Sequence, residues 1–264
     1  MDVKIIVAAH KKYQMPSDGM YLPVQVGASG KESIGYQRDD EGENISELNP
    51  YFCELTGIYW AWKNLDVDYI GLAHYRRHFS IHPHRKDIWA NVLKKSDIES
   101  DLGKIKVFVP KKRRYWIESL YSHYDHTHYI SQLDETRKII EDQCADYLPS
   151  FDKVCKRNWG YMFNMMIMKR EFYDDYCNWL FSILFELRDR LGEDGLTPFH
   201  SRYYGRVSEI IFDVWLDQKV NEGALLKSEI REIPLIHMEK INWWKKGTAF
   251  IKAKLFGTKY SGSF

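Results

Sequence analysis

The sequence predicts an α/β domain built on a largely parallel sheet, and three observations carry that expectation. Val3-Lys-Ile-Ile-Val-Ala-Ala9 is a compact apolar run of the length of a buried parallel strand. Residues 50–79 pass from a Trp-rich helical segment into a second apolar strand, the strand–helix–strand progression of parallel sheets. Polar or basic clusters follow the strands directly: His10-Lys-Lys-Tyr13, His74-Tyr-Arg-Arg77 and Lys111-Lys-Arg-Arg114. In an open α/β sheet the carboxyl ends of the strands face the ligand crevice, so guanidiniums delivered there suit a diphosphate or another anion.

Taken in order, the first strand ends at His10. Residues 14–30 carry two Pro and three Gly around a short extended piece, Leu22–Val26, and read as loop and edge strand. Arg38 to Ser46 is a charged loop, and Ser46, Asn49 and Pro50 mark a helix start. Phe52, Leu55, Ile58, Tyr59 and Trp62 fall on one helical face, and Tyr69–Ala73 returns to strand. A helix over 87–96 and a strand over 106–110 follow. Residues 117–128 and 133–147 read as helices, 158–168 as a buried strand, and 170–191 and 202–219 as long amphipathic helices. The domain is expected to span residues 1–235. Residues 236–264 form a basic, aromatic tail suited either to an anionic membrane face or to packing across the domain.

Composition narrows the function. With 38 basic and 37 acidic residues the chain has no overall positive field, which argues against a nucleic-acid binder. Cys53, Cys144, Cys155 and Cys177 lack zinc or redox spacing and read as reduced thiols of a cytoplasmic protein. No segment approaches a membrane span or a signal-peptide core. Aromatic residues reach 15%, which serves a bulky core or the packing of flat rings on sugar C–H surfaces.

The usual nucleotide and hydrolase motifs are missing: no GxGxxG, no Walker A, no GxSxG. His123, His126 and His128 have no partner cluster of the HExxH kind. Strand-end cations with nearby carboxylates leave glycosyl transfer, in which an enzyme must neutralise a departing nucleoside diphosphate and deprotonate an acceptor hydroxyl. Asp66-Val-Asp68 precedes its strand instead of following it, the wrong end for a metal site, so Arg76 and Arg77 are expected to supply the neutralising charge. No cofactor is expected to be required, with Mn²⁺ or Mg²⁺ as the alternative. A non-catalytic glycan- or lipid-binding protein and a sugar-phosphate phosphoesterase are the rival functions.

Several stretches resemble a family of bacterial glycosyltransferases from capsular, exopolysaccharide and lipopolysaccharide gene clusters, largely described as a domain of unknown function. They include Val7–Lys11, Pro23–Gly27, Asp39–Ser46, Glu54-Leu-Thr-Gly-Ile-Tyr-Trp-Ala-Trp-Lys-Asn64, Gly71-Leu-Ala-His-Tyr-Arg-Arg-His-Phe79, Met162–Met168, Trp179–Phe185 and Arg206–Glu209. The resemblance implies a GT-A-like single domain with a Rossmann-like mixed sheet flanked by helices. It also implies a UDP-sugar donor, with galactose or galactofuranose favoured, and a lipid-linked glycan acceptor at the inner face of the plasma membrane. Carried onto this chain, Ala8, Ala9, His10 and Tyr13 border the uracil and ribose, beside Gln25, Val26 and Gly27. Asp39, Asp40 and Asn44 hold ribose or donor sugar, although Asp40 and Asn44 also suit loop capping. His74, Arg76 and Arg77 lie near the diphosphate, Arg206 near donor phosphate and Asn164 near the acceptor. Glu209, on the same helix face as Arg206, is the expected general base of an inverting transfer; Asp213 is the second choice, and a purely structural Arg–Glu pair the plain one.

Overall fold

The structure, a computed structural model, describes residues 1–81 and 87–239. Its first half comprises β1 (Val3–Ala9), β2 (Tyr21–Gln25), β3 (Gln37–Arg38), α1 (Asn49–Phe52), α2 (Leu55–Asn64), β4 (Tyr69–His74) and β5 (Arg77–Phe79). Next come α3 (Lys95–Ile98), β6 (Val107–Pro110), β7 (Arg113–Arg114), α4 (Leu120–Thr127), α5 (Ile130–Gln143) and α6 (Leu148–Cys155). The chain continues through β8 (Trp159–Gly160), β9 (Met166–Lys169), α7 (Arg170–Leu191), α8 (Tyr203–Asn221), β10 (Ile230–Ile233) and β11 (Leu235–His237).

The main sheet runs β10-β6-β9-β4-β1-β2-β3. Along this path all neighbours are parallel except β9, which is antiparallel to both β4 and β6, while β5, beside β4, and β11 add an antiparallel branch. It is therefore a mixed, Rossmann-like sheet. Alternation along each strand splits the core between its two faces. Ile6, Ala8, Ile70, Leu72, Val107 and Met168 pack in one cluster with the residues of the long helices α5, α7 and α8. Val3, Ile5, Val7, Tyr69, Phe108 and Ile167 face the other way, against Met20, Leu93, Ile98 and Phe79. Burial on both faces explains why β1 and β4 read as unbroken apolar runs. Gly71 is required where β4 meets β9: a Cβ there would stand 2.6 Å from the Met166 carbonyl oxygen.

Several elements depart from the sequence expectation. The predicted helix from Pro50 to Asn64 breaks at Cys53, whose φ of 54° ends α1 before α2 begins. The predicted strand over 158–168 is two short strands separated by a loop in which Phe163 and Asn164 take φ of 74° and 52°. The helix expected over 87–96 is a single 3₁₀ turn, Trp89–Asn91, followed by the one-turn α3. The stretch Leu22–Val26 lies between β1 and β3 rather than at the sheet edge. β11 crosses the boundary expected at residue 235 and pairs with β5, so the sheet extends through His237. Residues 240–264 of the expected basic tail lie outside the described residues.

Candidate active site

The strand order reverses at β1: β2 and β3 extend the sheet to one side and β4 to the other. Ligands of open α/β sheets bind outside the carboxyl ends of strands at such a switch point. Register places Ala9 beside Gln25 and Ala8 beside His74, so the residues after these three strand ends share one mouth.

An aromatic and basic cluster lines it. Tyr13 and Tyr75 stack with ring centroids 3.8 Å apart, and the His10 ring lies edge-on to Tyr75 at 5.4 Å. The Arg76 guanidinium lies 5.0 Å from the Tyr75 ring and Lys11 5.2 Å from Tyr13. Burial, and then the charges of Lys11, Arg76, Lys31 and Arg202, lower the His10 pKa, which marks this mouth as electropositive.

Much of the donor-binding set expected from the sequence is engaged in building the loop around this mouth. Ala9 accepts the Val26 N–H at 3.0 Å. Gln25 is buried, its side chain donating to the Glu32 carbonyl at 2.8 Å and accepting from the Ile34 N–H at 3.0 Å. The Asp39 carboxylate, fully buried, accepts from the N–H groups of Gly27 (2.8 Å) and Ala28 (2.9 Å) and the hydroxyls of Ser46 (2.5 Å) and Thr56 (2.7 Å). Gly27, at φ 62°, has the Asn49 side chain where a Cβ would be, so the turn that brings its N–H to Asp39 excludes larger residues. Asp40 is held by Arg38 (2.6 and 2.9 Å), and that guanidinium keeps its carboxyl below the usual range. Asn44 caps its own loop, donating to the Gly42 carbonyl and accepting the Ser46 N–H. Asn44 thus makes loop-capping contacts, whereas Asp40 is held by a side-chain ion pair.

A second group converges on the loop before β9. His74 Nε2 lies 2.7 Å from the Phe163 carbonyl oxygen, which can only accept, so the ring proton is on Nε2. The Phe163 N–H donates to Glu209. Arg77 sets its guanidinium 4.2 Å from the Phe163 ring, and its buried Nε has no hydrogen-bond partner. Burial lowers the Arg77 pKa, while the charges of Glu209 and Glu54 favour its charged form. Burial raises the Glu209 pKa, with Arg206 and Arg113 pulling it back and Glu54 pushing it further. Asn164 is buried and links three segments: its amide donates to Glu54 (2.8 Å) and the Gly205 carbonyl (3.1 Å) and accepts from the Ser208 hydroxyl (2.8 Å). Arg206 lies over the Phe199 ring at 5.8 Å.

The structure thus places His74, Arg77, Asn164, Arg206 and Glu209 around one loop, with His10, Tyr13 and Arg76 at the adjoining mouth. Arg76 is half-exposed and pairs with Glu239 at 3.3 Å. Asp68 accepts the Asp2 N–H at 2.7 Å at the start of β4, the opposite end of that strand from His74. Tyr75, Phe163, Glu54 and Arg202 were not singled out from the sequence. Tyr75 sits inside the His-Tyr-Arg-Arg cluster and Glu54 opens the Trp-rich helical stretch, so those two carried a signal; Phe163 and Arg202 carried none.

A family described as a domain of unknown function, DUF4422, has a profile that matches residues 4–221. The chain belongs to the DUF4422 family. The matched DUF4422 region runs from β1 to the last residue of α8, so it contains every residue of both groups above except Glu239. Among solved structures, the apo form of WbbM, a bifunctional glycosyltransferase, superposes with a TM-score of 0.82 at 28% identity over 91% of this chain. That match takes in 46% of the WbbM chain, so this DUF4422 protein spans about half of it. No curated protein gives a significant match to the DUF4422 chain. Among the described residues no helix is long and apolar enough to cross a membrane.

Proposed function

We propose that the protein is an inverting glycosyltransferase that moves a sugar from a UDP-sugar to a hydroxyl of a glycan acceptor. One observation carries the reading. Arg77, packed on the Phe163 ring with an unpartnered Nε, and Glu209, whose pKa burial raises and which meets the Phe163 backbone, lie close enough for the carboxylate charge to act on the guanidinium. The first is chemistry for a departing diphosphate, the second for an incoming hydroxyl. The likeness to a glycosyltransferase in fold supports the same reading.

In this mechanism the acceptor oxygen attacks the anomeric carbon as the bond from that carbon to the diphosphate oxygen breaks. The acceptor proton passes to the Glu209 carboxylate, and UDP leaves as the anion, its charge met by Arg77 and, at the mouth, Arg76. A base with a raised pKa is better matched to a hydroxyl proton near neutral pH than an ordinary glutamate. Phe163 couples the two halves, since its carbonyl accepts from His74 and its N–H donates to Glu209. The stacked Tyr13 and Tyr75 with His10 offer an aromatic wall for the uracil. The motif resemblance favours galactose or galactofuranose as the sugar and a lipid-linked acceptor in surface-polysaccharide synthesis, and the basic, aromatic composition of residues 236–264 suits attachment to the inner membrane face.

Glu209→Gln tests the assignment. It should abolish transfer while UDP affinity, measured by calorimetry, stays at the wild-type value. Wild-type turnover by the variant removes Glu209 from the mechanism.

A further inference from the structure

β6 and β10 run parallel to β4, so their carboxyl ends lie at the same sheet edge as His74. Between β10 and α8, from Lys227 and Ile230 at the start of β10 up to Glu232 and Lys112 near that edge, lies a cavity of about 240 Å³, the space of about eight waters and room for one monosaccharide ring. Its lining joins Lys112, Arg157 and Lys227 to Asp213, Asp217 and Glu232, with Tyr161, Leu216 and Val220 as the apolar part. Three cations against three carboxyl groups do not make an anion site. Most of these groups hold one another: Lys112 and the Tyr161 hydroxyl both reach Glu232 at 3.0 Å, and Arg157 pairs with Asp217.

Two groups remain. Asp213 is 1% exposed; its Oδ2 accepts the Tyr161 N–H at 3.1 Å, and its buried Oδ1 has no hydrogen-bond partner. A buried carboxyl oxygen without a partner is costly unless something fills the role. Lys227 has no carboxylate at ion-pair distance among the described residues. Burial holds the Asp213 carboxyl well above its usual range, so it offers a donor as well as an acceptor to a sugar hydroxyl.

The cavity adjoins the proposed base. Asp213 follows Glu209 by four residues on α8, about 6 Å along the helix axis. Tyr115 lies within reach of both carboxyl groups. We infer that this cavity holds the sugar unit of the acceptor next to the attacking one, so that the protein reads at least two units of a glycan chain. The inference rests on the glycosyltransferase reading and adds a sub-site to it.

The test uses UDP-loaded protein and two sets of probes. One set is the methyl glycosides of galactose, glucose, mannose and N-acetylglucosamine; the other is the methyl disaccharides built from them, both read by saturation-transfer NMR titration. At least one disaccharide should bind about tenfold more tightly than its parent monosaccharide, as expected for one or two added hydrogen bonds to charged groups. Val220→Trp, which fills the cavity from α8, should remove that advantage, and Lys227→Ala should reduce it. The sub-site is overturned if no disaccharide gains on its monosaccharide, or if the gain survives both substitutions. UDP affinity measured on the same samples separates the two failures. Wild-type protein that binds no UDP sinks the glycosyltransferase reading, whereas UDP binding without a disaccharide gain sinks this sub-site alone.

Discussion

Arg76 and Arg77 are neighbours in sequence, yet the structure gives them different tasks, and replacing each with Gln should separate them. The Arg77 guanidinium is packed on Phe163 with a buried, unpartnered Nε, so that nitrogen is already desolvated before any ligand arrives. A diphosphate oxygen reaching it gains a charge-assisted hydrogen bond of about 2–3 kcal/mol, and Arg77→Gln should weaken UDP binding about 30- to 150-fold. The Arg76 side chain is 48% exposed and already paired with Glu239, so Arg76→Gln should cost under about 1 kcal/mol, less than about fivefold. Calorimetric UDP titrations at low and high salt provide the assay. Added salt should erode the Arg76 contribution and largely spare that of Arg77. Equal losses, or a larger loss for Arg76, would refute the division of labour.

Three further outcomes follow from the same geometry. Because Glu209 must be ionised to accept a proton and burial raises its pKa, kcat should fall as pH drops through an apparent pKa above the ordinary glutamate value of 4.5; a profile flat down to that value excludes Glu209 as the base. His78 is fully buried with neither ring nitrogen hydrogen-bonded, and burial lowers its pKa from 6.5 to about 4. Since the native state holds the neutral ring, that group's stability is complete above pH 6.5 and is lost as pH falls toward 4. The shift amounts to about 3 kcal/mol, so His78→Phe should flatten the acid limb of urea-unfolding stability by that amount, and parallel limbs would contradict this. Asn164→Ala strands Glu54, removes one partner each from Gly205 and Ser208 and puts alanine at φ 52°, so urea unfolding should show a loss of about 3 kcal/mol; a loss under about 1 kcal/mol would show the network carries no weight.

The parts of the fold that were legible are those whose residues are buried on both sides. β1, β4 and β6 announce themselves as apolar runs because both sheet faces are covered. The helix break at Cys53 was not legible, since cysteine signals no turn and the periodicity of Phe52, Leu55 and Ile58 continues across it. α6 was missed because Leu148-Pro149 reads as a stop, although Pro in the first turn is tolerated. β10 and β11 are short and carry Arg231, Glu232 and His237 among their apolar residues, so no continuous apolar run marks them.

For the site, the strand-end cations could be read from sequence because strand direction alone fixes their location. The role of Asp39 could not. It depends on loop closure bringing Gly27, Ala28 and Thr56 to one carboxylate, and an acid in a polar loop looks the same whether it binds a ligand or the chain itself. Phe163 was silent for the same reason, since its backbone contacts to His74 and Glu209 and its ring contact to Arg77 all depend on how the loop folds back.

The central claim is that a UDP-sugar is the donor and that arginine charge carries the leaving diphosphate. A screen of UDP-sugars for transfer to glycan acceptors and for slow hydrolysis, with and without EDTA, tests it most directly. The account predicts turnover of one UDP-sugar, UDP-galactose or UDP-galactofuranose first, at a rate that EDTA leaves unchanged. Turnover that disappears in EDTA and returns with Mn²⁺ would contradict the arginine assignment, and no UDP-sugar turnover together with no UDP binding would contradict the function itself.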